Sequence, residues 1–327
     1  MKKKIIVSYQ IPKEGLTDLF DRYEVLYPQA TMFDNKELLE IIPDYHALIT
    51  VFGKKLNDEI IEKANNLKII SNYGVGFENI NLKTATRNKI VVTNTPDAVT
   101  EPTAEITMGL MISVMRRISD CDTRLRNEKD FKWGIMKNLG RILYGKTLGI
   151  IGMGKIGNAV AKRARAFGMD IIYFDHNPLN REPEKKYSAQ YVSLNELLKI
   201  SDVISVHTPL NEQTYHLLGK NEFELMKSSV FFINTSRGPV VDEKVLVNSL
   251  QNNKIAGAGL DVYENEPDIS KKLLKMDNVV LSPHIGTGTI ETRIDMAKSA
   301  SKNIIDYFEG KIPEFIVNRE VLKYIKL

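Results

Sequence analysis

The chain has little of what marks a secreted or membrane protein. Its 327 residues include one cysteine, Cys121, which excludes an internal disulfide framework and fits a reducing cytoplasm. No stretch approaches the ~18 consecutive apolar residues of a membrane span. After the basic residues 2–4, only three apolar residues follow before polar ones, too few for the core of a signal peptide. We therefore expect a cytoplasmic protein without a membrane partner.

The chain also lacks a strong excess of either positive or negative charge. Lysine and arginine number 45 against 41 acidic residues, and the resulting net charge of +4 is scattered along the chain. A charge this small does not form the basic footprint of a nucleic-acid-binding protein, although it mildly favours an anionic substrate. An apolar content of 43% and a charged content of 26% are typical of a globular protein with an ample core. The length is about twice that of one domain and predicts two.

The first hundred residues alternate between short apolar runs and amphipathic stretches. The apolar runs, which predict strands, lie at 5–7, 24–26, 47–49, 67–71 and 89–92. The amphipathic stretches, which predict helices, lie at 13–21, 35–42, 57–64 and 79–88. This alternation predicts a small parallel α/β domain with helices on both faces of the sheet.

The stretch 146–175 has the same alternation, which resumes again after Asp175. Strands are predicted at 148–151, 171–174, 203–206, 230–233, 255–260 and 279–281, and helices at 156–167, 194–199, 220–226 and 242–251. These strands are apolar on both faces, as a covered parallel sheet requires. The predicted fold class is therefore α/β, with two doubly wound parallel-sheet domains.

Three segments lie outside this alternation. A helix is predicted from about residue 102 to 119, with the apolar face Ile106, Leu110, Val114 and Ile118. Residues 129–144, which include Trp133, predict an irregular connection. A last long helix at 289–310 either adds to the second domain or returns to the first, which would make the first domain discontinuous.

The strongest motif is the turn between the predicted strand at 148–151 and the helix that follows it. Gly152, Gly154 and Gly157 have GxGxxG spacing. The first glycine permits a tight turn, the second lets a pyrophosphate approach the backbone, and the third allows close packing of helix on strand. The helix N-terminus then favours the anion. Because strand, glycines, helix and second strand occur in order, we predict a dinucleotide site.

Asp175 indicates which dinucleotide binds. It ends the second strand, 18 residues after Gly157, close to the ~20 expected of the acid that binds the adenosine ribose. A carboxylate there accepts the 2′-hydroxyl of NAD and repels the 2′-phosphate of NADP. His176, Asn177 and Pro178 follow, and the first arginine is Arg181. We predict NAD, with NADP possible because of Arg181.

Three polar residues come just after predicted strands in the second domain: Arg237, Glu266 and His284. Open parallel sheets bind ligands outside the carboxyl ends of their strands, so these residues would face the cofactor. Arginine pairs with a carboxylate, histidine donates and recovers a proton near neutral pH, and a glutamate on the other ring nitrogen favours the imidazolium. This set suits hydride transfer to a 2-keto acid.

Each of the three residues also has an ordinary structural explanation. Arg237 could stabilise the turn at Gly238, Glu266 could be an exposed loop charge, and His284 could be a satisfied loop histidine. The remaining histidines are weaker candidates: His46, His176 and His216 fall in loop or surface positions, and His207 ends a strand. The spacing of histidine and cysteine predicts no metal site.

Over essentially its full length the chain resembles the D-isomer-specific 2-hydroxyacid dehydrogenases. The stretches that carry the resemblance are 72–80 (NYGVGFENI), 93–96 (TNTP), 152–157 (GMGKIG), 234–238 (NTSRG), 259–267 (GLDVYENEP) and 282–286 (SPHIG). The resemblance implies Arg237, Glu266 and His284 as the catalytic set. It implies that Val75 and Gly76 bind the substrate carboxylate through their amides.

The resemblance also implies cofactor contacts, a domain plan and an assembly. The cofactor-binding residues would be Thr103, Gly152, Gly154, Lys155, Ile156, Gly157, Asp175, Thr208, Pro209, Thr235, Ser236, Asp261 and Gly286. A smaller flavodoxin-like substrate domain would comprise 1–100 and 290–327, and a Rossmann NAD-binding domain would comprise 101–289. Family members are usually homodimers.

Within the family the chain looks most similar to glyoxylate and hydroxypyruvate reductases. The side chain of Phe52, just after the third strand, would limit the size of the substrate, so we expect a small 2-keto acid. Alternatives are a D-lactate, 2-ketogluconate or phosphoglycerate-type dehydrogenase. A protein of another class, an NAD-responsive corepressor or binding protein, stays open.

Overall fold

The computed structural model describes residues 2–128, 131–176, 184 and 187–325. The chain folds into two compact units, the first formed by Met1–Val99 with Thr287–Leu327 and the second by Thr100–Gly286. These limits differ by one to three residues from the 1–100, 290–327 and 101–289 expected from the sequence.

Within the described residues, the first unit has a five-stranded parallel sheet in the order β2-β1-β3-β4-β5. Its strands are β1 (Lys4–Val7), β2 (Glu24–Leu26), β3 (Ala47–Val51), β4 (Ile69–Tyr73) and β5 (Val91–Thr93). Its α-helices are α1 (Thr17–Arg22), α2 (Asn35–Ile41), α3 (Asp58–Lys63), α4 (Leu82–Arg87) and, from the C-terminal part, the long helix Ile290–Phe308. This strand order is that of flavodoxin-like domains.

Neighbouring residues of these strands are buried on opposite faces of the sheet. Ile5 and Ile49 pack on one side with residues of the long C-terminal helix, such as Met296. Ile6 and Leu48 pack on the other side with residues of α2 and α3. Because side chains alternate along a strand, a sheet covered on both faces needs apolar residues at consecutive positions. The runs of apolar residues in the sequence meet that requirement.

The second unit is built around a larger parallel sheet. Its described strands are β6 (Thr147–Ile151), β7 (Asp170–Phe174), β8 (Ala189–Tyr191), β9 (Val203–Val206), β10 (Phe231–Asn234), β11 (Gly257–Leu260) and β12 (Val279–Leu281). They form, among the described residues, a seven-stranded sheet in the order β12-β11-β10-β9-β6-β7-β8. This order reverses at β6, where the two βαβ halves of a Rossmann fold meet.

Helices cover both faces of this second sheet. The described helices of the unit are α5 (Thr100–Arg116), α6 (Ile118–Asn127), α7 (Lys155–Ala166), α8 (Leu194–Ile200), α9 (Lys220–Leu225) and α10 (Glu243–Gln251); the helix Ile290–Phe308 of the first unit is α11. Of these, α6 has no buried residue. Ile150 and Ile233 pack against residues of α5 and α7 on one face. Ile151 and Phe232 pack against residues of α8 and α10 on the other. The predicted fold class is confirmed.

Two elements differ from the sequence-based prediction. The helix expected to run to residue 119 ends at Arg116, because Arg117 has a left-handed backbone (φ 56°), and α6 begins at Ile118. The short edge strand β8 was not predicted, and only Ala189 of its three residues is buried. A strand that is exposed over most of its length carries a weak apolar signal.

The C-terminal segment of the first unit covers the edge of its sheet at β5. Ile316 forms an antiparallel bridge with Thr93. Asn318 is fully buried: its Oδ1 accepts the Val92 N–H at 2.8 Å, and its Nδ2 donates to the Ile90 carbonyl at 2.9 Å. An edge strand exposes unpaired backbone groups, so this asparagine satisfies groups that would otherwise be left open.

We expect the Asn318→Ala substitution to destabilise the first unit. It would leave the buried Val92 N–H without an acceptor, which costs roughly 1–3 kcal/mol. The melting temperature should fall by roughly 2–10 °C. The matched control is Asn252→Ala, since among the described residues the side-chain amide of Asn252 donates only to Asn248, one turn earlier at the end of the same helix. Equal melting temperatures for the two variants would contradict the role given to Asn318.

Candidate active site

The turn after β6 is built as a dinucleotide site requires. Gly152 has φ 94°, and a Cβ there would lie 2.8 Å from the His207 carbonyl carbon. A Cβ at Gly157 would lie 2.3 Å from the Gly152 carbonyl oxygen, whereas a Cβ at Gly154 would have no heavy atom within 4 Å. Two of the glycines are therefore required by the protein itself. The third lies in open space, where a ligand can approach the backbone.

Helix α7 begins directly after this turn. Its N-cap is Gly154, and no side chain caps the helix. The N–H groups at a helix start lack intrahelical partners and attract anions. Lys155 and Ile156, the first two helical residues, thus lie where a pyrophosphate fits, and the residues present suit a dinucleotide.

Asp175 follows β7, beside the glycine turn. Its Oδ2 accepts the Met153 N–H at 2.7 Å, which places the carboxylate at the turn itself. The prediction that it binds the ribose is consistent with this position. Asn177, Pro178 and Arg181, on which the possibility of NADP depended, lie outside the described residues.

Arg237 lies in the loop after β10, and hydrogen bonds from side chains to backbone carbonyls hold that loop. Asn234 donates from Nδ2 to the Arg237 carbonyl at 3.1 Å, and the Arg237 guanidinium donates to the Ser236 carbonyl at 2.7 Å. A Cβ at Gly238 would lie 1.9 Å from the Tyr263 carbonyl carbon. The loop after β10 therefore packs backbone to backbone on the loop after β11, and only glycine allows that contact.

Glu266 and His284 form a pair in this part of the second unit. His284 Nδ1 lies 2.7 Å from Glu266 Oε2, and the Tyr263 N–H donates to Glu266 Oε1 at 2.9 Å. Burial by itself would raise the pKa of Glu266, but the hydrogen bond and charge of His284, with a further contribution from Arg237, hold it below its ordinary value. Glu266 is thus a carboxylate at neutral pH.

Asp261 holds the loop that presents His284. Its two carboxyl oxygens accept from Ser282 Oγ at 2.6 Å and from the Ile285 and Gly286 amides at 2.9 and 2.8 Å. Burial raises its pKa, against the opposing effect of these hydrogen bonds. His284 itself has a left-handed backbone (φ 52°), and its N–H donates to the Asp261 carbonyl at 2.9 Å.

The remaining predicted cofactor residues lie at the same edge of the sheet. Thr235 bonds through Oγ1 to Thr107 Oγ1 at 2.8 Å, and Ser236 Oγ donates to Asn234 Oδ1 at 2.8 Å. A Cβ at Gly286 would lie 3.4 Å from Thr103 Oγ1. Thr208 and Pro209 follow β9, next to His207, whose backbone contacts Gly152. Their contacts with a cofactor stay predictions.

The predicted substrate-binding residues belong to the first unit, in the loops after β3 and β4. Asn72 donates from Nδ2 to the Gly76 carbonyl at 2.7 Å, and Asn94 donates from Nδ2 to the Val75 carbonyl at 2.9 Å. These bonds fix the orientation of the peptide groups at Val75 and Gly76. Phe52 packs against the same loop, since a Cβ at Gly74 would lie 2.8 Å from the Phe52 Cβ.

Comparison with known proteins identifies the family of the chain. The family model for the NAD-binding domain of D-isomer specific 2-hydroxyacid dehydrogenases matches residues 108–286. The chain is 43% identical over 327 residues to the glyoxylate reductase of Thermococcus litoralis, covering 98% of each chain. The chain belongs to the D-isomer specific 2-hydroxyacid dehydrogenase family. It is an oxidoreductase that acts on CH–OH donors, as predicted.

Two solved structures show the same similarity. A glyoxylate reductase from Paecilomyes thermophila has a TM-score of 0.88 and 35% identity, over 98% of this chain and 99% of that one. An NADPH-dependent glyoxylate/hydroxypyruvate reductase from Sinorhizobium meliloti, in complex with NADP and malonate, has a TM-score of 0.85 and 29% identity, over 97% of this chain and 98% of that one. The findings support the predicted cofactor, NAD with NADP possible.

One histidine of this dehydrogenase has surroundings that the sequence did not reveal. His216, which was predicted to be a loop or surface residue, lies with Nε2 2.8 Å from Glu264 Oε1. The Glu243 N–H donates to the carboxylate of Glu264, and the Glu264 N–H donates to the carboxylate of Glu243. Burial raises the pKa of Glu243, and the nearby Glu264 charge raises it further. No spacing in the sequence predicts this cluster, because His216, Glu243 and Glu264 come from three segments that are far apart in the chain.

His207 is not an acid–base candidate. Burial lowers its pKa to about 3, so its ring is neutral at physiological pH. Its Nε2 bonds to Ser205 Oγ at 2.8 Å, and its buried Nδ1 has no hydrogen-bond partner among the described residues. Within the described ranges, no three histidine, cysteine, aspartate or glutamate side chains are grouped to hold a metal ion. No described helix is long and apolar enough to cross a membrane.

We expect the Gly238→Ala substitution to impair catalysis strongly. The added Cβ would force the loops that carry Arg237 and Glu266 apart, and a displacement of about 1 Å costs roughly 10²-fold in rate. The measurement is kcat/KM for 2-keto acid reduction. The matched control is Gly109→Ala in α5, where a Cβ meets no heavy atom within 4 Å. Wild-type kcat/KM in a folded Gly238→Ala protein would contradict this account.

Proposed function

We propose that the protein reduces a small 2-keto acid, with glyoxylate or hydroxypyruvate favoured, to the D-2-hydroxy acid, and that it uses NADH. The observation that carries the proposal is the 2.7 Å pair of Glu266 and His284 in the same unit as the GxGxxG turn. The relatives and neighbours named as glyoxylate or glyoxylate/hydroxypyruvate reductases support the choice of substrate.

In this proposal the second unit binds the dinucleotide and holds the catalytic residues. The amides of Lys155 and Ile156 would bind the pyrophosphate, and Asp175 would accept the 2′-hydroxyl of the ribose, which favours NAD. When bound, the reduced nicotinamide supplies the hydride for the keto carbon. The residues of the chain bind and orient the substrate and deliver the proton.

His284 would be the general acid. Glu266 bonds Nδ1, so Nε2 is the ring nitrogen that would donate a proton to the oxygen of the substrate. The negative charge of Glu266 favours the protonated imidazole and fixes its orientation. Arg237 would polarise the keto group and pair with the carboxylate, as its planar guanidinium suits.

The first unit would bind the carboxylate of the substrate. The amides of Val75 and Gly76 would donate to it, and the Phe52 ring would limit the size of the group on the keto carbon. The asparagine hydrogen bonds that orient this loop support the assignment. The unit comprising 1–99 and 287–327 would thus be the substrate-binding domain.

We further propose that the protein is a cytoplasmic homodimer. The segment 131–144 has unusually exposed apolar side chains: Trp133 is 84% exposed, Ile135 94% and Met136 79%. Large apolar side chains left exposed together in one segment are typical of interaction sites, and a second copy of the chain would cover them. Sedimentation equilibrium should give twice the chain mass, and a monomer mass would overturn the dimer.

A panel of 2-keto acids with NADH and NADPH tests the proposed function. Glyoxylate or hydroxypyruvate should give the highest kcat/KM, and NADH should be preferred because Asp175 repels a 2′-phosphate. Following absorbance of the reduced cofactor at neutral pH gives both results. Turnover of larger keto acids alone would contradict the substrate choice, and binding of NADH without any turnover would contradict the reaction.

The Glu266→Gln substitution should shift the pH profile of reduction. The pKa of Glu266 is below its ordinary value, so the residue is charged at neutral pH and favours protonated His284. The neutral amide removes that effect, so the decline of kcat/KM at high pH should begin at a lower pH than in the wild-type protein. Glu309→Gln, which also removes a carboxylate of lowered pKa, is the control. An unshifted profile would argue against the role of Glu266.

A further inference from the structure

Arg293 of the first unit has an unusual environment. It is the fourth residue of α11, and its guanidinium carbon lies 5.1 Å from the centre of the Phe52 ring and 6.0 Å from that of Tyr73. The Tyr73 hydroxyl donates to the Arg293 carbonyl at 2.8 Å. The charge of Arg293 and a side-chain hydrogen bond from it act to lower the pKa of Tyr73, against the larger opposing effect of burial. Two aromatic rings and hydrogen bonds with Tyr73 thus hold this arginine at the start of the helix.

No carboxylate within the part of the chain that the structure describes is in ion-pair distance of Arg293. Its position is also close to the positive end of the α11 dipole, which disfavours a cation. Attraction by the aromatic rings offsets part of that cost. An arginine that local electrostatics disfavours indicates a functional requirement, and an anionic ligand would supply the missing partner.

The two rings belong to the loops that would bind the substrate. Tyr73 is the last residue of β4 and directly precedes Gly74, Val75 and Gly76. Phe52 is the first residue after β3, and its N–H donates to the Tyr73 carbonyl at 3.3 Å. Packing of the guanidinium over these rings leaves its N–H groups at the edge of its plane, where an oxyanion is accepted.

We propose that Arg293 is a substrate-binding residue that attracts the carboxylate of the 2-keto acid to the loop at Val75 and Gly76. This inference rests on the proposed function and adds a second cation to Arg237. Arg237 lies close enough to Glu266 to lower its pKa, so part of its charge is already balanced. Arg293 has no such carboxylate among the described residues, and its charge serves ground-state binding of the anion.

The test is steady-state kinetics of Arg293→Gln and Arg293→Lys in the full chain. Loss of a charge-assisted bond to the carboxylate should raise KM for both glyoxylate and hydroxypyruvate by roughly 10- to 100-fold, with kcat within about threefold. The inhibition constant of oxamate, an unreactive analogue, should rise by the same factor. Arg293→Lys should fall between wild type and Arg293→Gln, and NADH affinity should not change.

The matched control is Lys298→Gln, which removes a positive charge from the same helix at an exposed position paired with Asp295. Its KM should stay at the wild-type value. An unchanged KM in Arg293→Gln, or an equal rise in Lys298→Gln, would overturn the inference. A fall in kcat at unchanged KM would also overturn it, since the arginine would then only support the loops. Failure of the proposed function would appear separately, as absence of turnover by the wild-type protein.

Discussion

The contact between two backbones at Gly238 is the constraint on which the catalytic geometry depends. Strands β10 and β11 are parallel neighbours, so the loops at their carboxyl ends emerge side by side. A glycine lets those loops touch, which brings Arg237 beside Glu266, and the loop after the next strand, β12, adds His284. The loops after three adjacent parallel strands therefore place the Arg237 guanidinium, the Glu266 carboxylate and the His284 imidazole at one edge of the sheet. The chemistry follows from the strand order more than from any single motif.

Two carboxylates of this site show how surroundings divide the roles of similar groups. Burial raises the pKa of both Asp261 and Glu266, and the partners decide the outcome. Asp261 accepts mainly from neutral donors of the His284 loop, so its pKa stays above the ordinary value. Glu266 faces His284 and Arg237, and its pKa falls below that value. One carboxyl group thus serves to hold the loop, and the other keeps its negative charge next to the histidine.

What could be predicted from the sequence is what depends on local pattern. Apolar runs located the central strands, and glycine spacing located the turn after β6, because backbone geometry admits only glycine at two of its three glycine positions, Gly152 and Gly157. The break at Arg117 was not predictable, since one left-handed residue leaves the apolar spacing on both sides intact. The sequence also did not predict the His216–Glu264 pair or the hydrogen bonds of Asn318 to the backbone near β5. Each joins residues at least 48 positions apart, and only the folded sheet brings them together.

The two arginines differ in a way that fits two separate tasks. Arg237 donates to a carbonyl of its own loop and lies near the Glu266 charge, so its guanidinium is tied to the acid–base pair. A cation placed in this way is suited to charge that develops on the keto oxygen during hydride transfer. Arg293 is held by aromatic faces, which stabilise a cation without neutralising it. In the proposed role, such a cation would attract the substrate carboxylate equally before and during the reaction, and interactions of that kind lower KM without raising kcat. Separating the two tasks would let the affinity for small acids, which offer few contacts, rise without disturbing the geometry at His284.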